Sequence, residues 1–282
     1  MSEKFRWRKI KKNGDDAAEA LLREWERYCV GACARFIKRG NSDTNVWKLC
    51  GKTGGPAALI VQNRSTLLPV FCGHREIPAP PFLDGFFTAV KVHSIQGIKE
   101  DAVILEDILA KRGKAAAQNN DYYLMIIDKM PESQCYKPEP ASLVLRVPQL
   151  VDLDSLAALQ AGYEQEEVLP RGAVFNPAAS RINTAQLIVK EGILAAELDG
   201  RLVGKININA ISFTRFQVGG VYVHPDFRGM GIARCMAAVF IGSLIKQGRG
   251  VTLYVRKSNH AARRLYDRLG FTVTGDYRIS YY

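Results

Sequence analysis

The sequence lacks the long apolar run that a membrane span requires. The longest uncharged stretch of its apolar C-terminal half, Cys235 to Ile245, is about half of the roughly 20 residues a spanning helix needs. It also lacks a signal-peptide pattern, because Met1-Ser2-Glu3-Lys4-Phe5-Arg6-Trp7-Arg8 puts charges where the apolar region would have to be; the expected location is cytoplasmic. Cysteine is sparse and unpatterned. Cys29, Cys33, Cys50, Cys72, Cys135 and Cys235 form no CxxC and do not combine with the four His at metal-ligand spacing, so no zinc or other metal is expected and reduced, mostly buried thiols are. There is no collagen-like Gly period. A hydrophobic fraction of 47% against 24% charged residues excludes intrinsic disorder and leaves one large or two medium globular domains in 282 residues.

What is there begins with charge. Lys and Arg number 39 against 28 Asp and Glu, a formal net charge of +11, which raises a nucleic-acid or membrane-surface reading. The excess is spread evenly, 22 basic and 17 acidic residues in 1–140 and 17 and 11 in 141–282, so no basic arm stands apart from an acidic body. The one dense cluster, Arg6, Arg8, Lys9, Lys11 and Lys12, alternates with Phe5 and Trp7 at strand period. It reads as an edge strand with a solvated basic face. Neither nucleic acid nor a membrane is expected as a partner.

Residues 131–140 form a Pro-rich linker, with Pro131, Pro138 and Pro140 denying helix continuation and ladder donors. After it, Leu143 to Val147 reads as a strand and Asp152-Leu-Asp154 as the acidic cap of a helix through Leu156, Leu159 and Tyr163. The same order, strand at Phe5 to Arg8, Asp15-Asp16, and a helix through Leu21, Leu22, Trp25 and Cys29, opens the chain. An offset of 138 aligns Arg8 with Arg146, Asp16 with Asp154 and Leu21 with Leu159, which suggests internal duplication. The expected architecture is therefore an N-terminal α/β domain over 1–130, the linker, and a second domain over 141–282.

In that second half a helix ends between Arg181 and Val189, and Asp199-Gly200 joins two apolar runs as a hairpin turn. Phe213 to Val223 is a third strand, interrupted by Gly219-Gly220 where a bulge or a close ligand approach fits. Val221-Tyr222-Val223-His224-Pro225 then leads through Asp226-Phe227-Arg228-Gly229-Met230-Gly231-Ile232-Ala233 into an apolar helix. The two glycines let the backbone approach a ligand, and the unpaired first-turn amides of a helix attract phosphate oxygens.

This order, with Arg-x-x-Gly-x-Ala between a strand and a helix, resembles the acetyl-CoA pyrophosphate loop of the GNAT superfamily of N-acetyltransferases. About 30 residues on, past the strand Val251 to Val255, comes Ser258-Asn259-His-Ala-Ala262-Arg-Arg-Leu265-Tyr266-Asp-Arg-Leu269-Gly270-Phe271, similar to the second signature of that family. At about 100° per residue Asn259, Ala262 and Tyr266 share one stripe beside an apolar face of Ala261, Leu265 and Leu269. The resemblance covers the second half. In the first, Val92 to Lys99 leads to a helix from Asp101 with no such loop, so a GNAT-like repeat there would be degenerate. The fold class implied is α/β with a mixed sheet, GNAT-like in the second half and preceded by a second α/β domain.

The resemblance implies transfer of an acetyl or other acyl group from acyl-CoA to a primary amine by direct attack in a ternary complex, with no metal. It implies that Val221, Tyr222 and Val223 pair with pantetheine and polarise the thioester. It further implies that Arg228 and the loop Gly229, Met230, Gly231, Ile232 and Ala233 hold the pyrophosphate, that Asn259 and Ala262 line the pantetheine arm, and that Tyr266 is the general acid. Many relatives carry a carboxylate on the strand before the loop; Phe216 to Val221 has none. That leaves Glu164, Glu166, Glu167, Glu197 or water as the base, with Glu167 the residue assigned, although three close Glu also fit a solvated helix end. The acceptor is a small-molecule or peptide amine, and the first half is left to shape its pocket or to form a homodimer. Two other readings compete: an acyl-CoA-binding regulator without turnover, and an aminoacyl-tRNA-dependent transferase with paired GNAT-like domains.

Overall fold

The structure, a computed structural model, describes residues 6–10, 15–41, 43–50, 56–73, 86–87, 90–131, 142–190 and 192–282. The Pro-rich stretch from residue 132 on, and Cys135 within it, lie outside the described residues. The first half contributes β1 (Arg6–Lys9), α1 (Asp16–Glu24), α2 (Val30–Ile37), β2 (Thr44–Cys50), β3 (Pro56–Asn63), β4 (Thr66–Val70), β5 (Ser94–Ile98), α3 (Lys99–Ala110) and β6 (Gln118–Ile127). The second contributes β7 (Leu143–Arg146), α4 (Leu153–Tyr163), α5 (Pro177–Val189), β8 (Ile193–Leu198), β9 (Arg201–Ile211), β10 (Arg215–Val223), α6 (Ile232–Ile245), β11 (Gly250–Arg256), α7 (His260–Arg268) and β12 (Thr272–Tyr281).

The twelve strands of the described residues form one sheet in the order β1-β2-β3-β4-β5-β12-β6-β11-β10-β9-β8-β7. From either edge inward come four antiparallel strands and one parallel step, β4 to β5 or β10 to β11. The two central strands have changed sides. β6 follows β5 and α3 in the chain but pairs with β11, while β12 follows β11 and α7 but pairs with β5, and the two pair with each other. The order is thus palindromic, β6 standing to the second half as β12 stands to the first. A division is legible along the chain, yet backbone hydrogen bonds run unbroken through the middle of the sheet.

Alternating side chains sort the helices into two layers. Leu68 and Val70 pack with Leu22 and Phe36 beneath α1 and α2, whereas Leu67 packs with Leu105 and Leu109 of α3. In the second half Ile193, Ala195 and Tyr222 meet Leu156, Leu159 and Ile188 of α4 and α5, and Val203, Val218 and Leu253 meet Met236 and Ile241 of α6. Over the central strands Tyr122, Tyr254 and Tyr277 cluster together, and they line a trough between the two helix pairs.

Two local expectations fail because a carboxylate is recruited away from its helix, by a distant turn in one case and by a neighbouring guanidinium in the other. The first helix stops at Trp25 instead of continuing through Cys29, and a 3-10 turn, Glu26–Tyr28, precedes α2. There the buried Glu26 accepts from the Thr214 amide at 2.7 Å and from the hydroxyls of Thr214 and Ser212 in the β9–β10 turn. Arg23 lies 4.0 Å over the Phe213 ring of that turn. Asp152 does not cap α4. Its carboxylate takes Arg146 Nη1 and Nη2 at 2.7 and 2.8 Å and the Gln149 amide at 2.8 Å, and the Arg146 guanidinium holds its pKa down at about 2. The Asp199-Gly200 turn does form, with φ of 48° and 77° and Leu198 paired to Arg201, the left-handed pair a two-residue hairpin demands.

Because each half lacks its own last strand, the two should fold only together. The full chain is expected to melt in one calorimetric transition, and residues 1–131 and 132–282 to be recovered folded only when co-expressed. A cooperative melt of either piece alone would contradict the exchange.

Candidate functional site

The parallel step of the second half is unfinished. β10 and β11 pair at Arg215, Phe216 and Gln217 with Gly250, Val251 and Thr252, and no further. Where they part, the register of β10 against β9 shifts between Gly219 and Tyr222. Two glycines are required there by crowding as well as by a φ of +60° at Gly220. A Cβ on Gly220 would stand 1.9 Å from Asn207 Oδ1 and 2.8 Å from Lys205 Nζ, and one on Gly219 would stand 2.2 Å from Asn209 Nδ2.

Those three side chains form a polar ladder on β9 beneath the bulge. Lys205 Nζ donates to Asn207 Oδ1 and to the Gly220 carbonyl, both at 2.9 Å, and Asn207 Nδ2 donates to Asn209 Oδ1 at 2.8 Å. Lys205 is fully buried under the Tyr163 ring, 4.8 Å from its centroid. Among the described residues no carboxylate forms an ion pair with it, and burial pushes its pKa down to about 7, with Glu164 opposing. Sequence reading missed this residue, since Lys205, Asn207 and Asn209 alternate as a solvated strand face would. The available signal was the pair of side-chain-free positions opposite them.

The gap opens into a cavity of about 900 Å³ in the trough. Its walls come from both halves: Gly31, Arg35 and Leu68 on one side, Glu164, Glu166 and Glu167 on the other, with Tyr122, Tyr254 and Tyr277 as floor. Val221, Tyr222, Val223, Arg228, Ala233, Asn259, Ala262 and Tyr266 all line it. Gly229, Met230 and Gly231 complete the adjoining loop. Gly229 and Gly231 have φ of 83° and 76°, Gly231 is the N-cap of α6, and a Cβ on Gly229 would meet nothing within 4 Å. The first-turn amides of α6 have no carbonyl within the helix. Ile232 sits instead in the core under α6.

Several side chains are already engaged. Arg228, expected to offer a free charge to the loop, reaches Glu166 at 2.8 Å and the Val223 carbonyl at 3.0 Å. Burial opposes ionisation of Glu166, but Arg228 and Tyr222 together hold its pKa below the usual value. Asn259 is a cap and more, with Oδ1 accepting from the Ala262 amide at 3.0 Å and Nδ2 donating to Glu167 at 3.2 Å. Glu167 also stands 3.9 Å from Arg256. Glu164 takes Gln160 Nε2 at 2.7 Å. The three glutamates line the cavity from a π-helical turn over Glu164–Val168, and Glu166 is exposed there. Glu197, the remaining carboxylate considered, is bound to Arg146 at 2.7 Å on β8 and does not line the cavity. Tyr266 is buried, edge-on to Phe271, and its hydroxyl is pushed above its usual range by burial first and then by Tyr163 and Glu167.

At the first half's parallel step the described residues include an apolar cluster on the α3 face of the sheet. Phe71, Phe87, Ile95 and Leu105 pack there, and the Phe71 amide donates to Asp101 Oδ2 at 2.7 Å. Burial raises the Asp101 pKa to about 7. Gly97 lies against Pro69, where a Cβ would come within 3.3 Å. Among the described residues no group of His, Cys, Asp and Glu could hold a metal ion, and no helix is long and apolar enough to cross a membrane.

The Lys205 environment has a pH signature. Between its folded value near 7 and its ordinary 10.5 the unfolded chain binds more protons, so this residue makes stability rise with pH across that window. Denaturant midpoints at pH 7 and 9.5 should climb more in the wild type than in Lys205→Met, by at most about 1.4 kcal/mol per pH unit. Equal slopes would mean that the amine is not desolvated.

Residues 160–271 match the Acetyltransferase (GNAT) family. Over 86 residues the chain is 38% identical to a mycothiol acetyltransferase of Thermomonospora curvata, covering 29% of this chain and 28% of that protein. Over 84 residues it is 34% identical to an uncharacterized N-acetyltransferase of Archaeoglobus fulgidus, covering 27% and 57%. The chain thus aligns with little more than a quarter to about half of these relatives' length. Solved structures resemble the fold over nearly the whole chain. A Drosophila protein gives a TM-score of 0.68 at 12% identity, covering 98% of both chains. A GCN5-related N-acetyltransferase of Sphaerobacter thermophilus gives 0.62 at 18%, covering 98% and 94%. A tandem GNAT protein from the clavulanic acid biosynthesis pathway gives 0.61 at 12%, covering 98% of each.

Proposed function

We propose, for a chain whose C-terminal half is a GNAT acetyltransferase domain, that it is an acyl-CoA-dependent N-acyltransferase acting on a primary amine. The observation that carries this reading is the strand gap between β10 and β11, which runs from the bulge at Gly219-Gly220 to the open loop before α6. The residues present suit an acyl-CoA: a strand edge with unpaired backbone groups for an amide-bearing arm, a loop of free amides for phosphates, and room for a chain beside Ala262. Bound there, acyl-CoA supplies a thioester whose carbonyl carbon gains a bond to the amine nitrogen as the C–S bond breaks, leaving a thiolate that needs one proton.

The chain's own groups divide the work. The amides of Val221 to Val223 orient the arm and polarise the carbonyl oxygen, as preorganised donors do. Gly229 to Ala233 hold the pyrophosphate, and Arg228 shapes that loop through Glu166 and the Val223 carbonyl. Tyr266 donates the proton to the leaving sulfur, and its raised pKa keeps it protonated until then. Glu167 receives the amine's proton, its carboxylate oriented by Asn259 and Arg256. Lys205 fixes the bulge through the Gly220 carbonyl.

Tyr266→Phe should lower the rate of CoA release by roughly 10²-fold with acetyl-CoA affinity little changed; an unaltered rate, read with a thiol reagent, removes Tyr266 from the acid role. Gly231→Asp places a negative side chain at a residue with φ of 76° beside the loop. Calorimetry should show acetyl-CoA binding lost while the variant still melts cooperatively, and intact binding would mean that the pyrophosphate lies elsewhere.

A further inference from the structure

The first half's wall of the cavity carries a cation for which the transfer chemistry has no use. Arg35, on α2, donates from Nη1 to the Gly31 carbonyl one turn back at 2.9 Å. Among the described residues no carboxylate forms an ion pair with it. The other two guanidinium groups lining the cavity do have such partners, Arg228 with Glu166 at 2.8 Å and Arg256 with Glu167 at 3.9 Å. A guanidinium has five N–H donors in a planar fork suited to a carboxylate, and one bond to a backbone carbonyl leaves most of them for an occupant of the cavity.

Its position relates it to the reacting centre. A Cβ built on Gly31 would stand 3.4 Å from both Arg35 Nη1 and Gln217 Oε1, so the two polar heads converge from opposite halves of the chain. Gln217 precedes the Gly219-Gly220 bulge by two residues and Val221 by four, roughly 7 and 13 Å along a strand. The far wall holds Glu164 and Glu167. The Gln217 end of the cavity is therefore cationic, while across from it, with tyrosines between, Arg228 and Arg256 pair with Glu166 and Glu167 and leave Glu164 as the lining carboxylate without an ion-pair partner among the described residues.

We propose that Arg35 binds a carboxylate of the acceptor, so that the amine acylated belongs to an amino acid and not to a polyamine or an amino sugar. The inference rests on the acyltransferase reading. A second ammonium, as in a polyamine, would be repelled by Arg35, and an uncharged sugar ring would leave the guanidinium desolvated without a counter-charge. An amino acid satisfies both ends, its ammonium drawn to the glutamates and its carboxylate to Arg35. It also gives the first half a part in the reaction, because α2 supplies a recognition group that the GNAT domain itself does not contain.

The test uses the full chain with acetyl-CoA and matched acceptors differing only by the carboxylate: phenylalanine and phenethylamine, leucine and isopentylamine, histidine and histamine, lysine and cadaverine. In at least one pair the amino acid should have the higher kcat/KM by on the order of 10- to 100-fold, chiefly through KM. Arg35→Met and Arg35→Gln should bring that pair towards parity, and Arg35→Lys should keep part of the preference as a charge without the fork. A panel in which no amino acid is preferred, including one with no turnover at all, overturns the proposal, as does a preference that survives both neutral variants. Acetyl-CoA calorimetry on the same proteins separates the two readings. Binding intact without a carboxylate preference removes the anchor alone, whereas no binding by the wild type removes the transferase reading beneath it.

Discussion

A gap held open between two neighbouring strands of a sheet leaves backbone groups without ladder partners, and the site depends on that one constraint. Unpaired amides and carbonyls are costly unless something meets them. Past Gln217 and Thr252, β10 and β11 stop pairing, and the bulge that separates them is fixed from below by a buried lysine and two asparagines. Closing the gap would require burying Lys205 without the Gly220 carbonyl it now holds. The ladder therefore sets the shape of the opening and leaves backbone donors and acceptors along its edge.

The exchange of β6 and β12 gives the site its second component. Each half completes the other's sheet, so the tyrosine floor beside the gap joins Tyr122 on β6 from the first half to Tyr254 on β11 and Tyr277 on β12 from the second. Glu26 and Arg23 clasp the β9–β10 turn from the first half, and α2 thereby comes to lie over the end of β10. The same parallel step occurs twice in the palindromic sheet, and among the described residues the two copies are surrounded differently. At the first half's copy Phe71, Phe87 and Leu105 pack together, and Asp101 takes the Phe71 amide.

Much of this was legible in the sequence because it is local. The turn at Asp199-Gly200, the bulge at Gly219-Gly220 and the loop after His224 each declare themselves within a few residues, and they fell where expected. What was not legible comes from partners far apart in the chain. Glu26 breaks its helix to meet residues nearly 190 positions away. Arg228 is claimed by Glu166, 62 residues earlier. Lys205 reads as a surface residue until α4 is placed over it. The strand exchange leaves no trace in hydrophobic pattern, since β6 and β12 would alternate in the same way whichever half they joined.

If the opening between β10 and β11 is the cofactor site and the apolar cluster around Phe71 closes its counterpart in the first half, acetyl-CoA binds once per chain. Calorimetric titration with acetyl-CoA tests it most directly through the stoichiometry. One molecule bound per chain is predicted. Two would show that the aromatic packing around Phe71 does not close the first gap, and none, in a protein that melts cooperatively, would show that the opening between β10 and β11 is not a cofactor site.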